Sequence, residues 1–111
     1  MSKRSPELLV VDMLEAIAKI ERYVSALTES QFLEDERTSD AVVRNLEIIG
    51  EAASRLPAAY RSTASQVPWH QVIGLRHRIV HEYFGIDLQL VWVIIHSDLP
   101  KLAEMLRTLV G

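Results

Sequence analysis

Residues 76–83 hold three kinds of side chain that can act on a phosphate ester. Arg76 supplies a permanent cation, His81 an imidazole and Tyr83 a phenol. A guanidinium can hold two phosphate oxygens at once, and an imidazole can take a proton from an attacking oxygen or give one to a leaving oxygen. The types and spacing therefore indicate phosphate chemistry that needs no metal ion.

Two of these residues also have ordinary structural interpretations. Arg76 can pack its aliphatic stem among apolar neighbours while its guanidinium pairs with Glu47, Glu51 or another carboxylate. Tyr83 alone is typical of an aromatic side chain at the edge of a core, with its hydroxyl in water. The combination and its spacing, more than any single residue, favour a site.

Three histidines allow a different kind of site. His70, His77 and His81 form a row at helical spacing, and His77 and His81 lie four residues apart, which suits Zn²⁺. No acidic residue joins them at helical spacing from the N-terminal side. We therefore rank a metal site last and expect neither a metal nor a cofactor.

The composition bounds the class of protein. The chain has 111 residues, of which 49% are hydrophobic and 24% charged, so we expect one globular domain over residues 1–111. It contains no cysteine, which excludes disulfides, thiolate metal sites and a cysteine nucleophile. The formal net charge of −3 argues against binding nucleic acid through overall charge, so any RNA contact must come from a local patch such as residues 76–78.

Nothing in the sequence is typical of a membrane protein. The longest uncharged apolar run, residues 88–95, is far shorter than the roughly 20 residues that span a bilayer. The first residues lead into no long apolar run before Asp12, so they do not resemble a signal peptide. We expect a soluble cytoplasmic protein.

Hydrophobic periodicity predicts helices throughout the chain. The first begins at Ser5 as N-cap, with Pro6 in the first turn. Its apolar stripe is Leu9, Met13, Ile17, Ile20, Val24 and Leu27. Residues 28–38 predict a loop with a short helical turn near Phe32. A second helix starts near residues 38–40 and ends before Pro57, and its stripe is Val42, Leu46, Ile49, Ala53 and Leu56.

The second half of the chain predicts two more helices after a connector at residues 57–67, which holds one short turn at residues 58–60. The third helix begins at Pro68, carries residues 76–83 and ends near Phe84, with Gly85 just after its end. The fourth follows Asp87 and is kinked or divided at Pro100. Residues 91–95 are rich in strand-forming residues, but the helical period continues on both sides of them. The prediction is an all-α, four- to five-helix up-and-down bundle.

A single helix over residues 68–84 would place Arg76 in the middle of an apolar stripe that also holds Tyr83. His81 would be rotated by roughly 140° from Arg76. The two could meet at one phosphate if the arginine reaches round, if the helix unwinds near His81, or if a second copy supplies the missing partner. If a second copy supplies the partner, the protein is a symmetric dimer with the site at the interface between the two copies.

The residues also resemble a known family. Arg76, His81 and Tyr83 reproduce the Arg-x4-His-x-Tyr motif of the HEPN superfamily, in which a polar residue such as His77 is usual after the arginine. Residues 44–52 resemble the second helix of its HepT-like branch, and residues 75–87 its motif helix and exit. The resemblance covers residues 8 to about 106.

This resemblance implies a ribonuclease toxin of a toxin–antitoxin module, with a HEPN-type helical bundle that forms a homodimer. It implies metal-independent cleavage of RNA, either tRNA or mRNA, in a cleft between protomers. His81 would be the general acid or base, Arg76 would hold the scissile phosphate, and His77 would support them. Tyr83 would line the site and receive AMP from a partner, a minimal nucleotidyltransferase. The alternative is a non-catalytic binding or regulatory partner of such a nucleotidyltransferase.

Overall fold

The computed structural model describes residues 4–81, 83 and 85–111. It shows an all-α protein, as predicted, with one very short hairpin that was not predicted. The helical and strand elements, in chain order, are α1 (Pro6–Val24), α2 (Glu29–Glu34), α3 (Glu36–Arg55), α4 (Ala58–Thr63), α5 (Trp69–Ile73), α6 (Leu75–Ile79), β1 (Val80–His81), β2 (Gly85–Ile86), α7 (Leu88–Val93), a π-helical turn (Ile94–Asp98) and α8 (Leu99–Val110).

The long helix α1 has the start and the buried face that the sequence predicts. The Ser5 hydroxyl accepts a hydrogen bond from the Leu8 N–H at 3.3 Å, and Pro6 occupies the first turn, where its missing N–H costs nothing. The predicted stripe from Leu9 to Val24 is buried against α3 and α8.

The segment between α1 and α3 is more helical than its acidic composition indicates. Thr28 and Gln31 form a capping box that starts α2, and Phe32 on that helix is completely buried. Asp35 then caps α3, so this helix begins at Glu36, two residues before the predicted start. The predicted stripe of α3 is buried throughout.

A close approach between two backbones fixes the position of α5 against α3. A Cβ atom at Gly50 of α3 would lie 3.2 Å from the carbonyl oxygen of Val72 and 3.4 Å from that of Ile73. A glycine here lets α5 pack directly on the α3 backbone. Because α6 follows α5 after one residue, Gly74, the same contact sets the position of Arg76.

The C-terminal helix is continuous, and the helical interpretation of residues 91–95 is confirmed. Asp87 caps α7, and the chain passes through a π-helical turn directly into α8. This turn precedes Pro100, whose ring cannot donate the hydrogen bond of a regular helix, and such widened turns absorb that defect. Asp98 precedes α8 but makes no side-chain cap there.

The predicted single helix over residues 68–84 is wrong. It is divided at Gly74, and α6 ends at Ile79, where Val80 turns to extended backbone with φ −94° and ψ 125°. The antiparallel strands β1 and β2 follow, pairing Val80 with Ile86 and His81 with Gly85. Gly85 has φ +78°, so it serves the hairpin and does not end a helix. The predicted end at Phe84 lies outside the described residues.

Among the helices that the structure describes, none is long and apolar enough to cross a membrane.

Candidate functional site

Arg76 lies on the solvent side of α6, not in an apolar stripe. Its side chain is 65% exposed, and Nη1 donates to Oε2 of Glu47 on α3 at 2.5 Å. The buried residues of α5 and α6 are Trp69, Val72, Leu75 and Ile79. The predicted stripe failed because it ran the helical period across the break at Gly74 and on into the hairpin. Of the carboxylates that the sequence offered as partners of Arg76, Glu47 is the one that it contacts.

His81 lies on β1, beyond the end of the helix, and faces the start of α7. Its Nε2 is 3.5 Å from Oδ2 of Asp87, and its side chain is 52% exposed. The predicted rotation of 140° from Arg76 does not apply, because the two residues are on different elements. Within the described part of the chain, no hydrogen bond or ion pair joins Arg76 to His81. Each is held by a carboxylate from another element.

Tyr83 lies between the two strands and is 89% exposed. The interpretation of this residue as the edge of a core is therefore wrong, although its hydroxyl does face water. A large aromatic side chain in this position adds almost nothing to the stability of the fold, because it buries almost no surface. A partner protein can reach this tyrosine without opening the fold.

The other two basic side chains of the segment, His77 and Arg78, differ in their contacts. His77 on α6 is exposed and, among the described contacts, makes no hydrogen bond. Arg78 pairs with Asp98 of the π-helical turn, with Nη1 at 3.3 Å from Oδ2. This pair ties α6 to the C-terminal helix, so Arg78 has a structural partner away from Arg76.

The zinc alternative receives no support from geometry. In residues 4–81, 83 and 85–111, no group of three or more histidine and carboxylate side chains is arranged to hold a metal ion. His70 on α5 and His81 on β1 do not share a helix, so the row that the sequence suggested does not form.

Glu47 stands between two shallow depressions on this side of the molecule. One is lined by Gly50, Ile73 and Arg76 among others, and the second by Val43, Ile86 and Leu88 among others. Four of their apolar members, Val43, Ile73, Ile86 and Leu88, are only half-buried, whereas Leu46 is buried. The second depression is also lined by the carboxylates of Glu34, Glu36 and Asp40. Protein–protein interfaces are typically apolar at the centre and polar at the rim, so the partly exposed apolar side chains here, more than Glu47 itself, suit contact with a partner.

The arrangement offers a phosphate ligand and a proton carrier on one exposed segment. The ion pair of Arg76 is solvent-exposed, and such a pair stabilises the fold by only about 0–1 kcal/mol, so a phosphate can replace Glu47 at little cost. His81 contacts Asp87 through one ring nitrogen, which leaves the other to exchange protons. The paired carboxylate can orient the ring, as in other histidine–carboxylate pairs.

The contribution of Asp87 was not predicted beyond a role at the start of the fourth helix. It caps α7 by accepting the Leu90 N–H at 3.0 Å, and it also contacts His81. The capping position could be recognised from Asp87 standing just before an apolar run. Its proximity to His81 depends on the hairpin, which residues 79–86 did not reveal because neither strand exceeds two residues.

Comparison with known proteins places the chain in a family. The HepT-like family, described as "Ribonuclease HepT-like", matches residues 13–109, and the chain belongs to it. Its all-α fold is that of the HEPN superfamily. No solved structure matches the chain significantly.

Several proteins of assigned function are similar to the chain. A protein of Thermococcus cleftensis named "Probable ribonuclease HepT" is 36% identical over 90% of this chain and 91% of its own length. A "Putative RNase" of Methanocaldococcus jannaschii is 33% identical over 100% of this chain and 95% of its own length. A second protein of that organism, named "Gamma-glutamylcyclotransferase and putative RNase", is 40% identical over 83% of this chain, but the match spans only 41% of its length.

Proposed function

We propose that this protein is a ribonuclease that cleaves RNA, either tRNA or mRNA, without a metal ion, and that it is the toxin of a toxin–antitoxin pair. Residues 1–111 act as one HepT-like domain. Arg76 and His81 carry the reaction, His77 supports them, and Tyr83 is the site of control. The family and the names of its relatives support the nuclease activity.

One observation supports the choice of these residues above all. Arg76, His77, His81 and Tyr83 are exposed, and none of them fills the core. The same short segment supplies the buried residues Leu75 and Ile79, so the fold separates its structural side chains from those four. Exposed groups of matched chemistry on one segment are better explained by a ligand than by stability.

The reaction uses the ribose of the RNA as its own nucleophile. A base takes the proton of the 2′-hydroxyl, the O2′–P bond forms, and the P–O5′ bond breaks as the leaving O5′ takes a proton. His81 performs one or both proton transfers. Arg76 leaves Glu47 and holds the scissile phosphate, where its charge opposes the charge that builds up on the phosphate oxygens.

The site is shared by two copies in a homodimer. Arg76 is held toward α3 and His81 toward the start of α7, so within one copy the two side chains have different partners. The half-buried apolar residues around Glu47 are the kind of surface that a second copy covers. In the dimer, Arg76 of one copy and His81 of the other act on the same phosphate.

A minimal nucleotidyltransferase inactivates the toxin by transferring AMP to Tyr83. The exposure of this side chain supports that role, since its hydroxyl must enter the active site of another enzyme. An adenylyl group adds a negative charge and a bulky base beside the site, which repels RNA and blocks its approach.

Incubation of purified protein with tRNA or total RNA in EDTA tests this function. We expect the wild type to cleave RNA and H81A to cleave it at least about 100-fold more slowly, because a general acid or base typically contributes this much to the rate. Glu104→Gln on α8 is the control and should cleave like wild type. Cleavage by H81A at the wild-type rate would refute the assignment.

A second candidate function follows from a specific observation. Arg76 and His81 each already have a carboxylate partner, so the exposed motif is nearly charge-balanced in one copy. A binding or regulatory module for a nucleotidyltransferase, without nuclease activity, would retain such pairs. Absence of cleavage by the wild type, together with AMP transfer to Tyr83, would establish this alternative.

A further inference from the structure

We propose that Asp87 is the positioning residue of His81. Its carboxylate holds the imidazole through Nε2, in the orientation and tautomer that leave Nδ1 free to exchange a proton with RNA. This inference rests on the proposed ribonuclease function. Its basis is the contact between His81 Nε2 and Asp87 Oδ2 at 3.5 Å, together with the way in which the fold fixes both residues.

The carboxylate of Asp87 is held on one side by the backbone of α7. Its Oδ1 accepts the N–H of Leu90 at 3.0 Å, as the N-cap of that helix. Its own N–H donates to the carbonyl oxygen of Ile79 at 2.7 Å, which also satisfies the last turn of α6. Since Oδ1 is engaged by the helix, rotation of the carboxylate would break the cap. Oδ2 is therefore kept toward His81.

The hairpin holds the imidazole on the other side. His81 pairs with Gly85 across β1 and β2, and Asp87 follows two residues later. The left-handed φ of +78° at Gly85 lets the chain reverse within so short a hairpin. The end of α6, the hairpin and the start of α7 therefore form one connected unit around the His81–Asp87 pair.

The carboxylate of Asp87 decides which ring nitrogen of the neutral His81 carries the hydrogen. A carboxylate accepts hydrogen bonds only, so it favours the tautomer with its hydrogen on Nε2 and leaves the lone pair on Nδ1. When Nδ1 takes the proton of the 2′-hydroxyl, O2′ bonds to phosphorus, the P–O5′ bond breaks and O5′ leaves with a proton from water. The imidazolium that has formed lies beside the negative charge of Asp87, which stabilises it.

The N-cap makes the substitution Asp87→Asn unusually informative. Asparagine caps helices as well as aspartate does, so its oxygen should take over the bond from Leu90. Its amide NH₂ must then face His81 and donate to Nε2. This change favours the other tautomer of His81, with the ring hydrogen on Nδ1. The nitrogen that should take the proton from RNA is then no longer able to accept it. Asp87→Ser also caps the helix but places no donor against the ring.

The matched control is Asp98→Asn. It removes the same charge from a carboxylate that also pairs with a side chain of the segment, Arg78, and it breaks no helix cap. All three variants should remain folded, as checked by circular dichroism and thermal melting. Any difference between D87N and D98N then reflects the contact with His81.

Two measurements test the inference. In ¹⁵N NMR spectra, with His81 assigned by the peaks lost in H81Q, the wild type and D98N should show the hydrogen of the neutral ring on Nε2, and D87N should show it on Nδ1. In RNA cleavage with EDTA, kcat should fall on the order of tenfold or more in D87N and about two- to fivefold in D87S. KM should stay within about twofold, because Asp87 does not contact RNA.

An unchanged ring tautomer in D87N, or a larger loss of kcat in D87S than in D87N, would overturn the positioning role. So would wild-type kcat in D87N when H81A is inactive, and in that case the proposed ribonuclease function would stand. Wild-type cleavage by H81A would instead refute the ribonuclease assignment and remove the catalytic meaning of the contact.

Discussion

At the scale of residues, the main feature is that three basic side chains of one short segment each lie against a carboxylate from elsewhere in the chain. Arg76 pairs with Glu47 of α3, His81 with Asp87 before α7, and Arg78 with Asp98. A surface of this kind does not attract RNA through net charge. Under the proposed function, RNA binding exchanges one partner for another, and we expect a phosphate to replace Glu47.

The substitution Glu47→Gln should therefore strengthen RNA binding. Removal of the competing carboxylate frees Arg76, and an exposed ion pair of this kind limits the gain to about fivefold at low salt. Affinity for tRNA can be measured by filter binding with H81A as the background, so that the RNA stays intact. Glu104→Gln in the same background makes the same change in net charge on α8. Equal affinity of the two double variants would contradict a competition at Arg76.

Modification of Tyr83 is a second prediction about a single residue. A minimal nucleotidyltransferase with ATP should add AMP to the wild type and to Tyr23→Phe, but not to Tyr83→Phe. Tyr23 on α1 is the matched control because it is also exposed, at 40% against 89% for Tyr83. Intact-protein mass spectrometry gives the answer. Modification of Y83F to the wild-type extent would contradict Tyr83 as the acceptor.

At the scale of elements, the hairpin positions His81, and Gly85 makes the hairpin possible. Alanine in the left-handed region costs roughly 1–2 kcal/mol, whereas asparagine tolerates it better. A Cβ atom at position 85 would meet nothing within 4 Å, so the effect comes from the backbone alone. The free energy of unfolding should fall in the order wild type, G85N, G85A, and RNA cleavage should fall in the same order. Equal stability of G85A and wild type would show that the hairpin does not need this conformation.

The cap of α3 gives a prediction about pH. Hydrogen bonds from the Thr38 hydroxyl, and then from its backbone N–H, hold the pKa of Asp35 below its ordinary value of 3.8. A carboxyl with a lowered pKa in the folded protein binds fewer protons there than in the unfolded chain. Its contribution is therefore present above about pH 4 and is lost as the pH falls through the lowered value.

The variant Asp35→Asn isolates this contribution, because asparagine can cap a helix without a charge. Urea unfolding should show the wild type to be more stable than D35N at pH 6, and the difference should shrink toward zero as the pH falls below the lowered pKa of Asp35. A difference independent of pH would show that the charge of Asp35 is not what stabilises the cap.

The sequence predicted the long helices well because their buried stripes and caps are local signals. Ser5 and the stripe of α1 are an example, since both lie within the helix that they specify. The motif segment was predicted as one helix, because a two-residue strand has no periodicity of its own. The ion pairs that α6 makes with Glu47 and Asp98 depend on packing between elements distant in the chain. The motif residues could be named from their spacing, but of their partners only Glu47 was among those that the sequence suggested.

At the scale of the whole molecule, one copy holds Arg76 and His81 on separate partners, and the site that we propose is completed by a second copy. We expect sedimentation experiments to show a dimer at micromolar concentration, and we expect the surface around Glu47 to form its interface. The net charge of −3 also fits a protein whose RNA contact is confined to one cleft.

Mixing two inactive variants tests the shared site most directly. R76A and H81A should each fail to cleave RNA in EDTA. After exchange of subunits, half of the dimers contain one copy of each, and one of their two sites has both an intact arginine and an intact histidine. The mixture should then recover about a quarter of the wild-type activity. A mixture as inactive as either variant alone would contradict a site built from two copies.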